Sequence, residues 1–580
     1  MSLSKRGDVR PLAGCGCRLL RRSWAKVLLL LCVLAQAAGA QTLPGPAQPG
    51  RPEQQLEPPT IPEPPAPPSV MPEVEPLQAP AGAEKVRFVL QQVQVEGSTV
   101  YAPADLAGTY QDLIGKEVSL VDVFGIAQRI TQRYRSDGYI ISRAVVPAQR
   151  IESGTVRVQV LEGFVDKVTI DGDAPAILGD YAGQIRAARP LKAADLERYL
   201  LLANDLPGVT ARAVLAPSAS VPQAADLIVK IERKPFDVFA TFDNRGTRYV
   251  GPYQVQLGGA LNSPLGLGEQ ILGRVITVTE TEELRFGELT LRAPVGYEGT
   301  VLGALGSISR SEPGFTLEVL EIENESDTLS FFAEHPLIRS RSQTLRLTGR
   351  FDYQNLESEI LGVPLSEDRL RVLRIGGFYD VVDQFSGINL FGLELSRGLN
   401  VLDATESGSP MLSRANGQSD FTKLSFSASR LQHIVGNLNL LVAASGQYAF
   451  DPLLSSEEFG LGGPEFLRAF DPSEAVGRSR PGGPDRAAIS RAARLRFPRH
   501  DPALRFRGCG PGLERGCGLR GSRARDLVFG GSGRPLHGQR ACAGGIEIAV
   551  PIEGEVAAEE LHEDGSGDEP RIFGTISLTF

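Results

Sequence analysis

Regular alternation of apolar and polar residues is the strongest pattern in the C-terminal part of the chain. Residues 345–353 (LRLTGRFDY) place Leu, Leu, Gly, Phe and Tyr on one face and Arg, Thr, Arg and Asp on the other, the period of two expected of a β-strand. The pattern recurs in residues 253–261, 422–428, 438–450 and 572–580. So many amphipathic strands with so few helices predict an outer-membrane-type barrel over residues 236–580, since closure satisfies every backbone group in lipid. A large soluble all-β protein is the alternative.

The first forty residues have the pattern of a signal peptide. Basic residues from Arg18 to Lys26 precede a short apolar run at 27–34, and the small residues at 38–40 precede Gln41, as a cleavage site requires. We therefore expect residues 1–40 to direct export and to be removed. No later stretch approaches the roughly 18 apolar residues that a membrane helix needs, so membrane insertion would have to use strands.

A Pro-rich segment, residues 41–84, precedes two compact α/β modules. The segment cannot bury a core and favours an extended spacer, so we predict a periplasmic linker. Residues 85–163 show the order β-α-α-β-β, with a strand at 86–95, a helix at 103–113 and a second helix that starts at the capping box of Ser119 and Asp122. That helix carries one apolar stripe of Val123, Ala127, Ile130 and Tyr134. Residues 164–235 repeat the order, which indicates an internal repeat.

The composition and motifs of the chain argue against an enzymatic function. Three of the six cysteines lie in the signal peptide, and the remaining Cys509, Cys517 and Cys542 are an odd set without zinc spacing. The five histidines occur singly. The chain has a net charge of −9 and no cluster of basic residues before the late segment, so we predict no nucleic-acid binding. The sequence has no phosphate loop, nucleophile elbow or paired acids at a catalytic spacing. We predict no catalytic residue, no metal and no cofactor.

Several motifs together resemble the two-partner secretion transporters, the haemolysin and filamentous-haemagglutinin secretion/activation family. Residues 137–147 and 158–163 are similar to the first polypeptide-transport-associated (POTRA) domain of that family, and residues 196–208 to the second. The match at the first barrel hairpin consists of Asp243, Asn244 and Gly246, followed by Asn262, Pro264, Gly266 and Gly268. The resemblance implies a mostly β fold, with POTRA 1 at 85–163, POTRA 2 at 164–235 and a 16-stranded antiparallel transmembrane barrel at 236–580.

The resemblance also implies two short functional segments in the barrel. A long extracellular loop of the family folds into the lumen and carries an Arg-Gly-aromatic motif, which here corresponds to Leu467, Arg468, Ala469 and Phe470. Ala469 stands where Gly is usual, and the family pairs the Arg with an acidic residue on an inner strand. The C-terminal Phe580 resembles the aromatic signal that the barrel-assembly machinery recognises.

The implied function is export of a client protein across the outer membrane. The edges of the POTRA sheets would bind an unfolded exoprotein by strand addition. A polar barrel lumen with Arg346, Arg350 and Asp352 would then provide a hydrated path for the unfolded chain. The expected partners are this exoprotein, outer-membrane lipids and the barrel-assembly machinery. A barrel-assembly insertase is the main alternative, although it usually has more POTRA domains; a porin would lack them, and a barrel-anchored hydrolase would need a nucleophile motif.

Residues 478–545 break the pattern, because alternation collapses and every basic residue is Arg. Gly and Pro in residues 507–516 stand where a strand needs ladder hydrogen bonds. If synonymous codons are chosen to suit and the nucleotide sequence is read one base along, residues 507–516 become V-D-V-G-R-V-W-N-E. Together with the preceding Phe506, this gives the F-x-D-x-G motif of the family strand that faces Arg468. We therefore hypothesise a frame-shifted segment, with a divergent Arg/Gly-rich loop as the alternative. As written, the chain lacks the Asp partner of Arg468.

Overall fold

The computed structural model describes two small α/β modules and one large antiparallel sheet. The described residues are 45–51, 56, 79–221, 223–435, 438–461, 475–476, 488–496, 525–532, 541–553 and 571–579. Among these residues, no helix has the length and apolar character that crossing a membrane would require.

The first module combines a three-stranded sheet with a separate two-stranded ribbon. Its elements are β1 (Arg87–Val89), β2 (Gln92–Glu96), α1 (Pro103–Leu106), β3 (Glu117–Ser119), α2 (Leu120–Ser136), β4 (Arg143–Val145) and β5 (Thr155–Leu161). The sheet has the order β2-β5-β4, and β1 pairs with β3. Short 3-10 turns at Ala83–Lys85, Ala107–Thr109 and Gln111–Leu113 connect these elements.

Helix α2 forms as the sequence predicts. The Ser119 hydroxyl accepts a hydrogen bond from the Asp122 N–H, and the Asp122 carboxylate accepts one from the Ser119 N–H, so two of the unpaired N–H groups at the helix start are satisfied. The predicted apolar stripe is fully buried in the module core. This packing fixes the helix, since propensity alone rarely does.

Two predicted elements of the first module are wrong in extent. The single strand expected at 86–95 is split at Leu90, which is buried and donates its N–H to the Lys116 carbonyl, whereas the next N–H, of Gln91, bonds to Gly154. The chain changes partner there, from the β3 side to the β5 side. The helix expected at 103–113 shrinks to the single turn α1, because Gly108 and Thr109 are weak helix formers.

The second module has the expected order β-α-α-β-β. Its elements are β6 (Phe164–Asp171), α3 (Ile177–Ala187), α4 (Ala193–Asn204), β7 (Val209–Pro217) and β8 (Ala224–Arg233). The sheet order is β6-β8-β7, which leaves β7 at an edge. Leu196 and Leu202 of α4 pack with Leu227 of β8 in the core.

The large sheet contains fifteen strands among the described residues. They are β9 (Phe236–Asp243), β10 (Gln254–Asn262), β11 (Gln270–Val278), β12 (Arg285–Val295), β13 (Thr300–Ser311), β14 (Ile322–Arg339), β15 (Gln343–Ile360), β16 (Val363–Val382), β17 (Ile388–Gly398), β18 (Thr422–Val435), β19 (Leu438–Ala449), β22 (Ala488–Arg496), β23 (Arg525–Ser532), β24 (Ala541–Glu553) and β25 (Arg571–Thr579). A short ribbon of β20 (Gly460–Leu461) and β21 (Ala475–Val476) lies apart from the sheet.

Each strand of the large sheet pairs with the next strand of that sheet along the chain, except that β22 and β23 do not pair, and the last strand pairs with the first. Thr579 of β25 lies opposite Phe239 of β9, which is the contact that closes a barrel. The strands at the two ends of the described order, β22 and β23, flank residues 497–524. Both lie wholly within the segment 478–545, so part of that segment contributes strands.

The large sheet exposes apolar side chains and buries polar ones. On its outer face Phe331 and Leu393 are 53% and 54% exposed, while on its inner face Asp352 and Ser396 are only 2% and 0% exposed. A soluble sheet would show the reverse. The distribution is that of a wall between lipid and a polar interior, as the alternation predicts.

Candidate functional site

A buried group of charges lies on the inner face of the large sheet, where the segment after β19 turns back inside. Glu457 belongs to a 3-10 turn, Ser455–Glu457, and is 3% exposed. Its carboxylate pairs with Arg374 of β16 at 2.7 Å and with Lys423 of β18 at 2.6 Å. Asp352 of β15 pairs with the same Arg374 at 2.7 Å. We call Asp352, Arg374, Lys423 and Glu457 the loop-base cluster.

Hydrogen bonds tie the loop-base cluster to further strands. Arg374 donates to the Ser396 hydroxyl of β17 at 3.0 Å, and Ser330 of β14 donates to Asp352 at 2.6 Å. The Glu457 carbonyl accepts from Lys423 and from Gln447 of β19, both at 3.0 Å. Six neighbouring strands, β14 to β19, therefore contribute to the immediate surroundings of this cluster.

The cluster marks the base of the segment that carries the predicted loop motif. Residues 459–461 leave Glu457 and enter β20, and β21 resumes the chain at Ala475. Leu467, Arg468, Ala469 and Phe470 fall between these two strands and lie outside the described residues. Phe580 also lies outside the described residues. The roles predicted for these four residues and for Phe580 therefore stay predictions.

Part of the Pro-rich segment lies against the same inner face. Asn324 of β14 donates to the Ala47 carbonyl at 3.2 Å, and Arg274 of β11 donates to the Leu56 carbonyl at 3.1 Å. A Cβ placed on Gly50 would come within 3.2 Å of the Ser456 Cβ, and Arg51 is fully buried. The sequence predicted a periplasmic linker over 41–84. Residues 45–51 and Leu56 instead contact the inner face of the large sheet. The Ala47 and Leu56 carbonyls accept hydrogen bonds from the inner wall, contacts that an extended spacer would lack.

The inner face also holds an ion pair whose two side chains both belong to wall strands, although its Arg274 also binds the Leu56 carbonyl. Arg274 of β11 and Glu288 of β12 lie directly opposite each other and pair at 2.8 Å, with side chains 12% and 10% exposed. This pair resembles the loop-base cluster in chemistry and burial. It differs because neither side chain comes from the segment after β19.

The first-hairpin motif divides between the two ends of that hairpin. At the end near the second module, Asn262 donates to the Lys234 carbonyl at 3.0 Å and to Asp237 at 2.7 Å, and accepts from Gln270 at 2.8 Å. This side chain therefore fixes the entry from β8 into β9 and the turn from β10 to β11. Gly208 packs against it too closely to accept a Cβ.

The turn from β10 to β11 contains Pro264, Gly266 and Gly268 and docks on the second module. Gly266 and Gly268 have φ of 80° and 92°, a left-handed conformation that suits glycine. The Gly266 carbonyl accepts the Ala176 N–H at 2.8 Å. A Cβ on Gly268 would lie 3.3 Å from Leu206, so the motif glycines allow close approach of the turn to the module.

Two further turns of the large sheet contact helix α4 and its C-terminal end. Arg198 pairs with Glu298, between β12 and β13, at 2.9 Å. Arg339 at the end of β14 donates two hydrogen bonds of 2.7 Å to the Asp205 carboxylate. Leu202 packs against Gly299, where a Cβ would clash. The second module is thus held by three turns of the sheet.

The other half of the motif fixes the seam between the first and last strands. Asn244 donates to the Ile572 carbonyl at 2.8 Å and accepts the Gly574 N–H at 2.7 Å. Asp243 accepts the Arg245 N–H at 2.9 Å. Gly246 lies where a Cβ would be 1.9 Å from the Gly251 carbonyl oxygen. The structure therefore does not bring Asn244 and Asn262 together, because β10 separates them by roughly 27 Å.

The first module has a polar site of its own at the end of β5. Glu162 accepts hydrogen bonds from the Thr99 N–H at 2.7 Å, the Val100 N–H at 3.0 Å and the Tyr134 hydroxyl at 2.7 Å. Burial opposes ionisation of Glu162, but these bonds outweigh it and hold the pKa of the carboxyl below its usual range. Burial also raises the pKa of Tyr134. Glu162 thus joins the chain at 99–100 to helix α2.

The sequence reading missed the loop-base cluster as a unit. Asp352 and Lys423 were recognisable as polar positions in alternating strands, but Arg374 was not singled out, and Glu457 lies in a segment without periodicity. The polar face of each strand was the only signal. Nothing in the sequence pairs a loop carboxylate with strands that precede it by 34 and 83 residues.

Comparison with known proteins agrees with these features. A family model described as "POTRA domain, ShlB-type" matches residues 88–163, and one described as "Haemolysin secretion/activation protein ShlB/FhaC/HecB" matches residues 226–480. The chain is 26% identical to the heme/hemopexin transporter protein HuxB of Haemophilus influenzae (strain 86-028NP) over 391 residues, 66% of this chain and 68% of the relative. It is 24% identical to the hemolysin transporter protein ShlB of Serratia marcescens over 395 residues, 66% and 69% of the two chains.

A solved structure supports the fold over most of the length. CdiB from Escherichia coli superposes with a TM-score of 0.64 and 18% identity, covering 89% of this chain and 94% of CdiB. The two family models together span more than half of the chain, in the order that the structure gives to the first module and the large sheet. The chain therefore belongs to the haemolysin secretion/activation (ShlB/FhaC/HecB) family of two-partner secretion transporters, outer-membrane proteins with periplasmic POTRA domains and not enzymes.

Proposed function

We propose that this transporter captures one unfolded exoprotein with its POTRA domains and passes it through a 16-stranded barrel to the cell surface. The observation that carries the proposal is that one molecule combines an unpaired strand edge in POTRA 2 with a charged inner face of the barrel. Strand β7 lies at the edge of the POTRA 2 sheet, and POTRA 2 is docked on three barrel turns. The inner face of the barrel is lined by buried charges and hydroxyls.

Strand β7 offers main-chain groups and an apolar side chain to an extended client. Val214 is 51% exposed and lies directly opposite Ile228 of β8, which is 37% exposed. An added strand would gain main-chain hydrogen bonds from the edge and apolar contact from these side chains. Such capture tolerates many sequences, which suits a long client.

The client class follows from the printed functions of the relatives. HuxB is named as a heme/hemopexin transporter and ShlB as a hemolysin transporter. For this chain we expect a large secreted protein encoded beside it, whose folding outside the cell makes export directional. The loop motif at Arg468 would act during passage, and we expect Arg468→Ala to impair export with barrel assembly largely intact.

Export of the neighbouring gene product tests the proposal. The transporter and the large open reading frame beside its gene would be expressed together, and the client measured in the medium. Val214→Lys should lower export because it places a charge on the capture face. Val121→Lys is the control, since Val121 is 43% exposed on helix α2 rather than on an edge strand.

Different outcomes contradict different parts of the proposal. A wild-type transporter that releases no neighbouring exoprotein contradicts the client assignment. Wild-type export by the Val214→Lys protein, with the folded barrel present at the normal level, contradicts capture on β7.

A further inference from the structure

POTRA 1 and POTRA 2 meet at an interface that lies beside the link between them. Only residues 162 and 163 separate β5 of POTRA 1 from β6 of POTRA 2. Domains of one chain usually move relative to each other unless an apolar interface holds them. Here the loop between α3 and α4 of POTRA 2 returns to POTRA 1 and contacts the turn between α2 and β4.

Ile141 supplies the apolar part of this interface. The residue belongs to POTRA 1 by sequence, but its side chain packs against the buried core of POTRA 2, which includes the fully buried Leu191. The core of POTRA 1 is covered by other side chains, among them Val146 and Ile151. Separation of the two modules would therefore expose Ile141 and part of the POTRA 2 core to water, which costs free energy.

A main-chain hydrogen bond and a charged side chain hold the same interface. The Ala193 N–H donates to the Gly138 carbonyl at 2.8 Å. The Lys192 ammonium lies 5.2 Å from the centroid of the Tyr139 ring, a favourable cation–π contact. Tyr139 packs in turn against Tyr134 of the POTRA 1 core, with ring centroids 5.7 Å apart. The lysine of POTRA 2 is thus bound to a ring that POTRA 1 holds in place.

The link itself has little freedom. The Gly163 N–H donates to the buried Ser142 hydroxyl of POTRA 1 at 3.0 Å, and the Gly163 carbonyl accepts the Leu191 N–H of POTRA 2 at 2.9 Å. A Cβ on Gly163 would lie 2.6 Å from the Ile141 carbonyl oxygen. A swivel of the modules at this glycine would therefore break one of its two hydrogen bonds.

We propose that Gly138, Tyr139, Ile141, Lys192 and Ala193 form a module lock, which makes POTRA 1 and POTRA 2 move as one rigid arm. The residues of the module lock act by positioning, because opening the interface removes apolar burial, a main-chain hydrogen bond and a cation–π contact together. The arm holds the edge strands β4 and β7 at one fixed spacing. An extended client that binds both edges must match this spacing, a consequence that rests on the proposed function.

Pulsed EPR on the purified full-length protein measures the rigidity of the arm directly, without client. The native cysteines of the mature chain, Cys509, Cys517 and Cys542, would first be replaced by Ser. Distances are then measured between pairs of spin labels, and the width of each distance distribution reports the relative motion of the two labelled sites.

Three exposed positions supply the two label pairs. Gln128 on α2 and Lys230 on β8 form the pair across the modules, whereas Gln128 and Gln94 on β2 form the reference pair within POTRA 1. In the otherwise unchanged protein, the distribution across the modules should be as narrow as the one within POTRA 1.

The triple variant Ile141→Ser, Lys192→Ala and Ala193→Pro opens the module lock. Proline is tolerated at 193, because this is the first residue of α4 and the preceding backbone is already extended. The distribution across the modules should widen about twofold, as for domains without a strong interface, and the one within POTRA 1 should not change. Ile114→Ser with Lys116→Ala is the matched control, since it makes similar replacements at exposed positions next to β3.

Two EPR results would overturn the proposal. One is a distribution across the modules that is clearly broader than the reference in the unchanged lock. The other is the same width in the triple variant as in the control. Hydrogen exchange of the wild type gives a second measurement that needs no cysteine replacement. The Leu191 and Ala193 N–H groups should exchange as slowly as the middle of α4, and exchange as fast as in the loop at 218–221 would also contradict the module lock.

Export of the client by the same variants tests the positioning role. The triple variant should export less client than the control, with the heat-modifiable barrel at the normal level. Wild-type export by a triple variant with a widened distribution would overturn the role of the fixed spacing. The EPR and exchange measurements need no client, so a failed client assignment leaves the result on the rigid arm intact, and the two failures remain distinguishable.

Discussion

The Glu162 carboxylate contributes to the response of POTRA 1 to acid. Its pKa lies below that of the unfolded chain, because the bonds from Thr99, Val100 and Tyr134 favour the charged form despite burial. The stabilisation is therefore present above the unfolded pKa of about 4.3 and is lost as the pH falls through the folded pKa. We expect Glu162→Gln to lower local stability at neutral pH by about 1 kcal/mol and to weaken its acid dependence.

Hydrogen exchange of helix α2 in the full-length protein, corrected for intrinsic rates, would measure this change. Glu96→Gln is the control, since Glu96 is an exposed carboxylate of the same module with no hydrogen bond in the structure's described part. Equal acid dependence in wild type and Glu162→Gln would show that the carboxylate does not carry the effect.

Single residues were predictable where their partners are near in sequence. Ser119 and Asp122 are three positions apart, so their reciprocal bonds could be read directly. Asn262 was recognised through a motif, but its role in joining β8, β9 and β10 required the fold. Glu457 could not be found, because its cations lie on strands that approach it only when the sheet curls around the lumen.

At the scale of elements, one bidentate pair contributes to the contact between the second module and the barrel. Arg339 and Asp205 join β14 to the end of α4, and their side chains are 19% and 42% exposed. We expect Asp205→Ala and Arg339→Ala each to speed hydrogen exchange in α4 and in the turn at 340–342 about fivefold, since such pairs contribute about 1 kcal/mol. The double variant should add little to either single one.

The Arg212–Glu232 pair of POTRA 2 is the control for this contact. Its atoms are 4.0 Å apart, its side chains are 66% and 73% exposed, and it joins only β7 and β8. Arg212→Ala should leave exchange at the barrel turn unchanged. Similar exchange in the Asp205→Ala and Arg212→Ala proteins would contradict the role of the bidentate pair.

Elements with a strong local signal were predicted closely, and those defined by distant partners were not. Helix α2 begins at the predicted capping box and buries the predicted apolar stripe, because capping and an amphipathic stripe are local properties. The break at Leu90 depends on which neighbour supplies the next hydrogen bond, Lys116 or Gly154. That choice is made by packing and has no signature in the sequence.

At the scale of the whole molecule, the strand count draws attention to residues 497–524. The described sheet has fifteen strands and is closed by β25 against β9, whereas bacterial single-chain barrels have an even number of strands. A sixteenth strand would have to come from between β22 and β23. The sequence available there includes 507–516, whose Gly and Pro residues suit a strand poorly.

A shifted reading frame would supply that strand and the missing partner of Arg468 together. We expect the nucleotide sequence to allow a frame over 478–545 that encodes alternating strands, including the F-x-D-x-G motif after Phe506. The reframed protein should give more heat-modifiable barrel in the outer membrane than the chain as written, because a paired sixteenth strand removes both exposed edges. A gene without such a frame, or equal assembly of the two proteins, would favour a divergent Arg/Gly-rich loop. Closure would then have to rely on the seam at Asn244, which the structure already shows in place.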